Sequence, residues 1–114
     1  MAEEHFTDGT LSGKGDYVDG RRSGSWTFYF RNGRVKAEGA YKAGDLDGEW
    51  VWYREGGGLL QRGALVDGAQ HGPWRRWHAN GNLLDEGTYE AGRKTGEWVT
   101  YDEDGRETKR RTHR

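Results

Sequence analysis

The chain has 114 residues, enough for one domain, and its formal net charge at pH 7 is −1. Aliphatic residues are scarce, a composition that would indicate disorder if six Trp and six Tyr did not supply apolar surface. Twenty glycines and one proline favour a thin structure with many tight turns over a globule with a deep aliphatic core.

Composition also argues against several classes of protein. No apolar run is long enough for a transmembrane helix, and the first residues do not resemble a signal peptide. Without Cys there are no disulfides and no thiolate metal sites. We expect neither a metal nor another cofactor, because the histidines are scattered: His5, His71, His78 and His113. The expected protein is soluble and cytoplasmic.

The sequence superimposes on itself at a shift of 24 residues without an insertion. An invariant column holds Trp26, Trp50, Trp74 and Trp98. A second aromatic column holds Tyr29, Tyr53, Trp77 and Tyr101, and a third holds Tyr17, Tyr41, Leu65 and Tyr89. The period divides the chain into an N-terminal half-repeat, four repeats and a basic tail: residues 1–14, 15–38, 39–62, 63–86, 87–110 and 111–114.

In chain order, each repeat is predicted to form two strands joined by a tight turn. The dipeptides Asp8-Gly9, Asn32-Gly33, Gly56-Gly57, Asn80-Gly81 and Asp104-Gly105 are typical of two-residue type I′ turns. The segment from Gly20 to Gly24, with its equivalents, is predicted to be a longer loop between hairpins. The expected fold is all-β: an elongated, open and twisted single-layer antiparallel meander of about nine strands.

Strand alternation assigns the repeated residues to two faces. A two-residue turn at Asn32-Gly33 would pair Phe30 with Val35, Phe28 with Ala37 and Trp26 with Gly39. The face that carries the repeated Trp, which we call the Trp face, would include Phe28, Phe30, Val35 and Tyr41. The opposite face would carry charges of alternating sign, with Arg75 directly across from Glu86.

The pattern Gly-x-Tyr-x-x-Gly-x-x-x-Gly-x-Trp-x-x-Tyr-x-x-x-Gly resembles the MORN repeat, and most closely its bacterial variant, found in YwqK-type antitoxins. The resemblance covers nearly the whole chain. It implies a twisted single-layer sheet whose aromatic-lined groove holds a partner peptide or helix. The family implies a fold more strongly than a function.

No constellation of residues suggests catalysis. Asp45 with Asp47, and the run of acids 102–104, are paired carboxylates, but they fall in predicted turns, where solvated acids are ordinary. No glycine-rich segment has the strand, helix and Lys-Ser/Thr context of a phosphate loop. We therefore expect a protein that is not an enzyme.

The most distinctive segment is residues 73–78, because Trp and Arg are enriched at binding hot spots. Around the constant Trp column, neighbouring positions vary between repeats, as on the specific surfaces of repeat proteins. The alternative is that Trp74 and Trp77 only belong to framework columns of the repeat. The candidate partner-binding residues are Trp26, Phe28, Trp50, Trp52, Arg54, Trp74, Arg76, His78 and Trp98.

The basic segment 109–114 has two interpretations: a contact for nucleic acid or an anionic membrane, or a charged edge that discourages sheets from joining. The predicted function is a protein–protein interaction module, such as an antitoxin or immunity protein that masks a toxin. The alternative is a peripheral scaffold that binds membrane phospholipid. Nucleic-acid binding is less favoured, and end-to-end self-association stays open.

Overall fold

The computed structural model describes residues 1–114 as one open antiparallel sheet of ten strands, each paired with its neighbours in sequence. No helix is present, and the molecule measures 43 × 30 × 17 Å. The prediction of an all-β meander is confirmed, with one strand more than expected. The strands are β1 (Ala2–His5), β2 (Leu11–Val18), β3 (Arg21–Tyr29), β4 (Val35–Lys42), β5 (Asp45–Tyr53), β6 (Leu59–Val66), β7 (Ala69–Trp77), β8 (Leu83–Glu90), β9 (Arg93–Tyr101) and β10 (Glu107–His113).

The tightest turns lie where the sequence predicts longer loops. Asp19 and Gly20 have φ angles of 53° and 79°, and the residues that flank them, Val18 and Arg21, form a ladder pair. Positive φ at both central residues defines a type I′ hairpin turn. Equivalent turns join β4 to β5, β6 to β7 and β8 to β9. The predicted loop at Gly20–Gly24 is therefore wrong, and Gly24 lies inside β3.

The Asn-Gly turns are longer than predicted. In the first repeat, the backbone N–H of Phe30 donates to the carbonyl of Arg34 at 2.8 Å, and only Gly33 has positive φ. This is a type I turn followed by a bulged glycine, and not the predicted type I′ turn. The added residue places Tyr29 opposite Val35 where Phe30 was expected, while the predicted pairs Trp26–Gly39 and Phe28–Ala37 are confirmed.

A bulge near the start of β3, β5, β7 and β9 brings the repeated Trp onto a glycine of the preceding strand. Between the pairs Lys14–Thr27 and Asp16–Ser23, the single residue Gly15 faces three residues of β3, ending at Trp26. Bulges bend a strand and increase its twist. The Trp26 indole lies over Gly15, where an added Cβ would overlap its ring carbons.

The same arrangement recurs in all four repeats and builds the core. The indole N–H of each repeated Trp donates to the backbone carbonyl ten residues before it, at 2.9 Å for Trp26 and Trp50, 3.0 Å for Trp74 and 3.1 Å for Trp98. The exposed fraction of these residues is 1% to 7%. Each ring thus rests on the glycine of the preceding strand, although the Cα atoms of Trp26, Trp50 and Trp74 face the glycine of the following strand.

The basic end of the chain is not a free tail. Residues 111–113, predicted to belong to a tail, are part of β10, which pairs with β9 as far as His113. Arg111 occupies the column that holds Gly15 and its equivalents, so no indole could rest on β10 as one does on β2. The charged side chains of β10 are suited to an edge strand, where charge discourages pairing with another sheet.

We expect Gly63→Val to lower the free energy of unfolding by about 3 kcal/mol, because its side chain would displace Trp74 in the middle of the array. Gly15→Val should lower the free energy of unfolding by less, since it disturbs the contact between β2 and β3 near one end of the array, where each repeat contacts only its neighbours. Gly58→Val is the control, because nothing lies within 4 Å of an added Cβ there. Urea unfolding measures all three, and equal losses at Gly63 and Gly58 would contradict the packing described.

Candidate interaction surface

Four of the nine predicted binding residues are core residues. Trp26, Trp50, Trp74 and Trp98 are buried, and their indole N–H groups are already bonded to the backbone. A binding anchor must present area and polar groups that water can reach before the partner arrives. The repeated Trp therefore support the Trp face from beneath, which favours the framework interpretation for this column.

Two other predicted residues, Phe28 and Trp52, are half-buried and complete a continuous stack of rings. Centroid distances along the stack are 5.7 Å from Trp26 to Phe28, 6.2 Å to Trp50, 5.8 Å to Trp52 and 5.6 Å to Trp74. Such spacings are those of interacting aromatic pairs. Phe28 and Trp52 are thus held rigidly by buried neighbours while part of each ring faces solvent.

A mainly apolar cavity of about 380 Å³ opens on the Trp face between Phe28 and Trp52, and we call it the aromatic pocket. Tyr41 packs edge-on against Trp50 at 5.3 Å, and burial raises the pKa of its phenol. The lining is formed by Glu4, Phe6, Ser12, Arg22, Phe28, Tyr29, Lys36, Ala37, Tyr41, Leu46, Trp50 and Trp52. The pocket lies in the half-repeat and the first two repeats, whereas the most distinctive segment of the sequence was residues 73–78.

Arg22 and Glu4 bound the pocket at its N-terminal end, and the sequence analysis missed both. The Arg22 guanidinium lies over the rings of Trp26 and Phe28, 5.1 and 5.2 Å from their centroids. It donates to both Glu4 carboxylate oxygens, at 2.7 and 2.9 Å. Burial opposes ionisation of Glu4, but hydrogen bonds from Tyr17 and Arg22 outweigh it and lower the Glu4 pKa. The sequence signal for Arg22 was its place in the column four residues before each repeated Trp.

Arg76 takes the place that Phe28 and Trp52 have in the earlier repeats. Its Nε and Nη2 donate to the Asp85 carboxylate at 3.0 and 2.5 Å, and these hydrogen bonds raise the pKa of Arg76. The Asp85 side chain is only 8% exposed, against 53% for Arg76. Arg76 is therefore first the counterion of a buried carboxylate, and only its outer half can meet a partner.

Arg54 and His78 link neighbouring turns. The Arg54 Nη2 donates to the carbonyl of Trp77 at 2.8 Å, and the His78 Nε2 lies 2.8 Å from the carbonyl of Tyr101. Each contact spans 23 residues, so each side chain reaches the next repeat at the position just before its own equivalent. Both residues were predicted to bind the partner, but these bonds give them a structural role first.

The opposite face is covered by ion pairs and phenol hydrogen bonds. Arg75 lies across from Glu86, as predicted, with its Nε 3.2 Å from a carboxylate oxygen. The Tyr53 hydroxyl donates to Glu38 at 2.9 Å. A cavity of about 420 Å³ also opens on this face, but its walls include Arg62 and other side chains engaged in ion pairs. A ligand there would have to displace these bonds.

The structure also bears on metal and membrane sites. Asp45 and Asp47, expected in a turn, lie at the start of β5. No group of three or more His, Cys, Asp or Glu side chains is arranged to hold a metal ion. The structure has no helix with the length and apolar character needed to cross a membrane.

We expect Arg76→Ala to lower the free energy of unfolding by about 2 kcal/mol, because it leaves the Asp85 carboxylate buried without a counterion. The double variant Arg76→Phe/Asp85→Ala installs the pair that the first repeat has at Phe28 and Ala37, and should recover most of that loss. Denaturant titration of the single and double variants measures the coupling. A double variant no more stable than Arg76→Ala would contradict it.

Comparison with known proteins gives one family. The model of the MORN repeat variant matches residues 22–43 and 70–91, which begin at equivalent positions in the first and third repeats. No curated protein matches the chain. The second and fourth repeats have the same strands, turns and Trp–Gly contacts as the matched ones. Residues 22–43 and 70–91 are therefore similar to MORN-variant repeats, and the two remaining repeats share their architecture.

Proposed function

We propose that this chain is a protein-binding module that holds a segment of a partner protein across the Trp face, with the aromatic pocket as its anchor site. MORN repeats in general are modules that mediate protein or membrane interactions and have no catalytic role. The observation that carries the proposal is the pair of half-exposed rings, Phe28 and Trp52, stacked on buried Trp50.

Rigid aromatic rings are efficient anchors because little side-chain entropy remains to be lost on binding. Trp50 holds Phe28 and Trp52 on either side, and Ala37 leaves room between them. A partner side chain inserted there would bury apolar surface on several sides. Leu46, half-buried at the margin, extends the apolar strip toward the tight turns.

The partner class that we favour is a toxin, which the chain would mask as an antitoxin or immunity protein in the cytoplasm. The support is the resemblance of the repeats to bacterial antitoxins of the MORN-variant type, together with the fit between an elongated sheet and an extended or helical segment. The direct experiment is to co-express the chain with the product of an adjacent gene that is toxic on its own. Failure to relieve toxicity would reject this partner class and leave the binding face to be tested separately.

The binding face can be tested without knowing the partner. Random 16-residue peptides would be displayed and selected on the intact protein, and the dissociation constants of enriched peptides measured by calorimetry on variants. Trp52→Thr, which installs the residue of the fourth repeat, should weaken binding about ten-fold by removing an anchor ring. Trp52→Phe, which installs the ring of the first repeat, should keep most of the affinity.

Arg75→Ala is the matched control, since Arg75 is exposed on the opposite face and its ion pair with Glu86 is solvated. We expect it to leave peptide affinity unchanged. Urea unfolding of each variant separates loss of a contact from loss of fold. Enriched peptides that lose affinity with Arg75→Ala but not with Trp52→Thr would place the binding site on the opposite face and contradict the proposal. A selection without enrichment would count against a peptide-binding role.

A further inference from the structure

The chemistry of the Trp face changes steadily along the array. The column four residues before each Trp reads Arg22, Leu46, Gln70 and Lys94. The column across the ladder from the position two residues after each repeated Trp reads Ala37, Gln61, Asp85 and Lys109. Arg22 is neutralised by Glu4, and Asp85 is neutralised by Arg76. The face is therefore apolar in the first two repeats, polar in the third and cationic in the last hairpin.

Three cations of the β9–β10 hairpin share this end of the Trp face. The Lys94 Nζ lies 4.6 Å from the centroid of the Trp98 ring, and the ladder places Arg111 across from Trp98 and Lys109 across from Thr100. Lys94, Lys109 and Arg111 are exposed, and none of them forms a salt bridge. Partial desolvation and the nearby charges of these three residues lower the pKa of His113, which indicates that they act on one region.

Carboxylates beside this cluster limit the breadth of any anionic partner. The turn that joins β9 to β10 carries Asp102, Glu103 and Asp104, and on the opposite face Arg110 is neutralised by Glu97 and Glu107. A membrane or a nucleic-acid duplex would cover the full strand length, about 30 Å for nine residues, and would meet the acidic turn. A narrow chain that runs across the strands along the middle of the face meets only the cations.

We propose that the partner segment, if the protein-binding function above holds, is apolar where it enters the aromatic pocket and acidic where it crosses β9 and β10. The pocket opens between Phe28 on β3 and Trp52 on β5, so its middle lies at β4, five strand spacings or about 24 Å from β9. That distance corresponds to about seven residues of extended chain. It corresponds to about sixteen residues of helix. The chemical class is an acidic peptide with one apolar anchor at that spacing.

The test is a displayed peptide library with one fixed Trp and twenty random positions on each side, selected on the intact protein and on Lys109→Glu/Arg111→Glu. On the original protein we expect Asp and Glu to be enriched near seven or near sixteen residues from the fixed Trp. The reversed variant should lose that enrichment. Replacing those acids by Gln in a selected peptide should weaken binding about ten-fold at low salt, as expected for three solvated ion pairs.

Arg21→Glu/Lys42→Glu is the matched control, because it changes the net charge equally at exposed sites on β3 and β4, at least five strands from β9. It should select the same acidic peptides as the original protein. Peptides that need Trp52 but show no acidic preference would overturn this inference and leave the binding function standing. A selection with no enrichment at all would reject both.

A bilayer is tested with vesicles of phosphatidylcholine containing about one-third phosphatidylserine, at physiological salt. We expect no co-sedimentation that depends on Lys109 and Arg111. Vesicle binding that the Lys109→Glu/Arg111→Glu variant abolishes and the control variant retains would overturn the acidic-peptide assignment in favour of a lipid surface.

Discussion

The contact on which the structure depends is the indole of each repeated Trp lying over a glycine of the preceding strand. A single-layer sheet has no second layer to cover its side chains, so its largest apolar groups must be buried against the sheet's own backbone. Glycine makes this close approach feasible, since any Cβ at Gly39 would occupy the space of the Trp50 ring. The indole N–H then donates to the carbonyl of Ala40, so the polar group of a residue that is only 1% exposed is hydrogen-bonded. The bulge at Gly48 bends the strand, so one short segment of sequence specifies bulge, contact and hydrogen bond together.

This contact separates structure from function within each repeat. The Trp and Gly columns cannot vary without loss of packing, and they are nearly inaccessible to a partner. Positions two residues after the Trp and four before it lie on the same face but do not take part in the Trp–Gly contact. Phe28, Trp52 and Arg76 therefore differ between repeats while the backbone beneath them stays the same. A gradient from apolar to cationic surface can be built in this way without changing the fold.

The sequence predicted what depends on period and alternation, and missed what depends on local backbone geometry. The 24-residue period predicts the meander, and alternation places Arg75 across from Glu86, because both follow from which residues share a face. The turn types were exchanged because Asn32-Gly33 fits both a type I′ turn and a type I turn with a bulged glycine. Ala43 and Ala91 gave no sign that they adopt positive φ. The burial of Trp74 was missed for a related reason: alternation gives its face, but the bulge decides that its ring folds back over Gly63.

The variable positions are not independent, and this limits how a surface of this kind can change. Phe28 faces Ala37, Trp52 faces Gln61, and Arg76 faces Asp85. Where the position two residues after the repeated Trp holds a ring, as at Phe28 and Trp52, the residue across from it is small or neutral, because the ring covers that residue. Where Arg76 fills it, Asp85 becomes a buried carboxylate that needs this arginine. A polar site on the Trp face therefore requires two matched substitutions, whereas a change of ring requires one. The third repeat has both substitutions, Arg76 and Asp85. The ring stack does not continue into the fourth repeat, because the position equivalent to Phe28, Trp52 and Arg76 is occupied by Thr100.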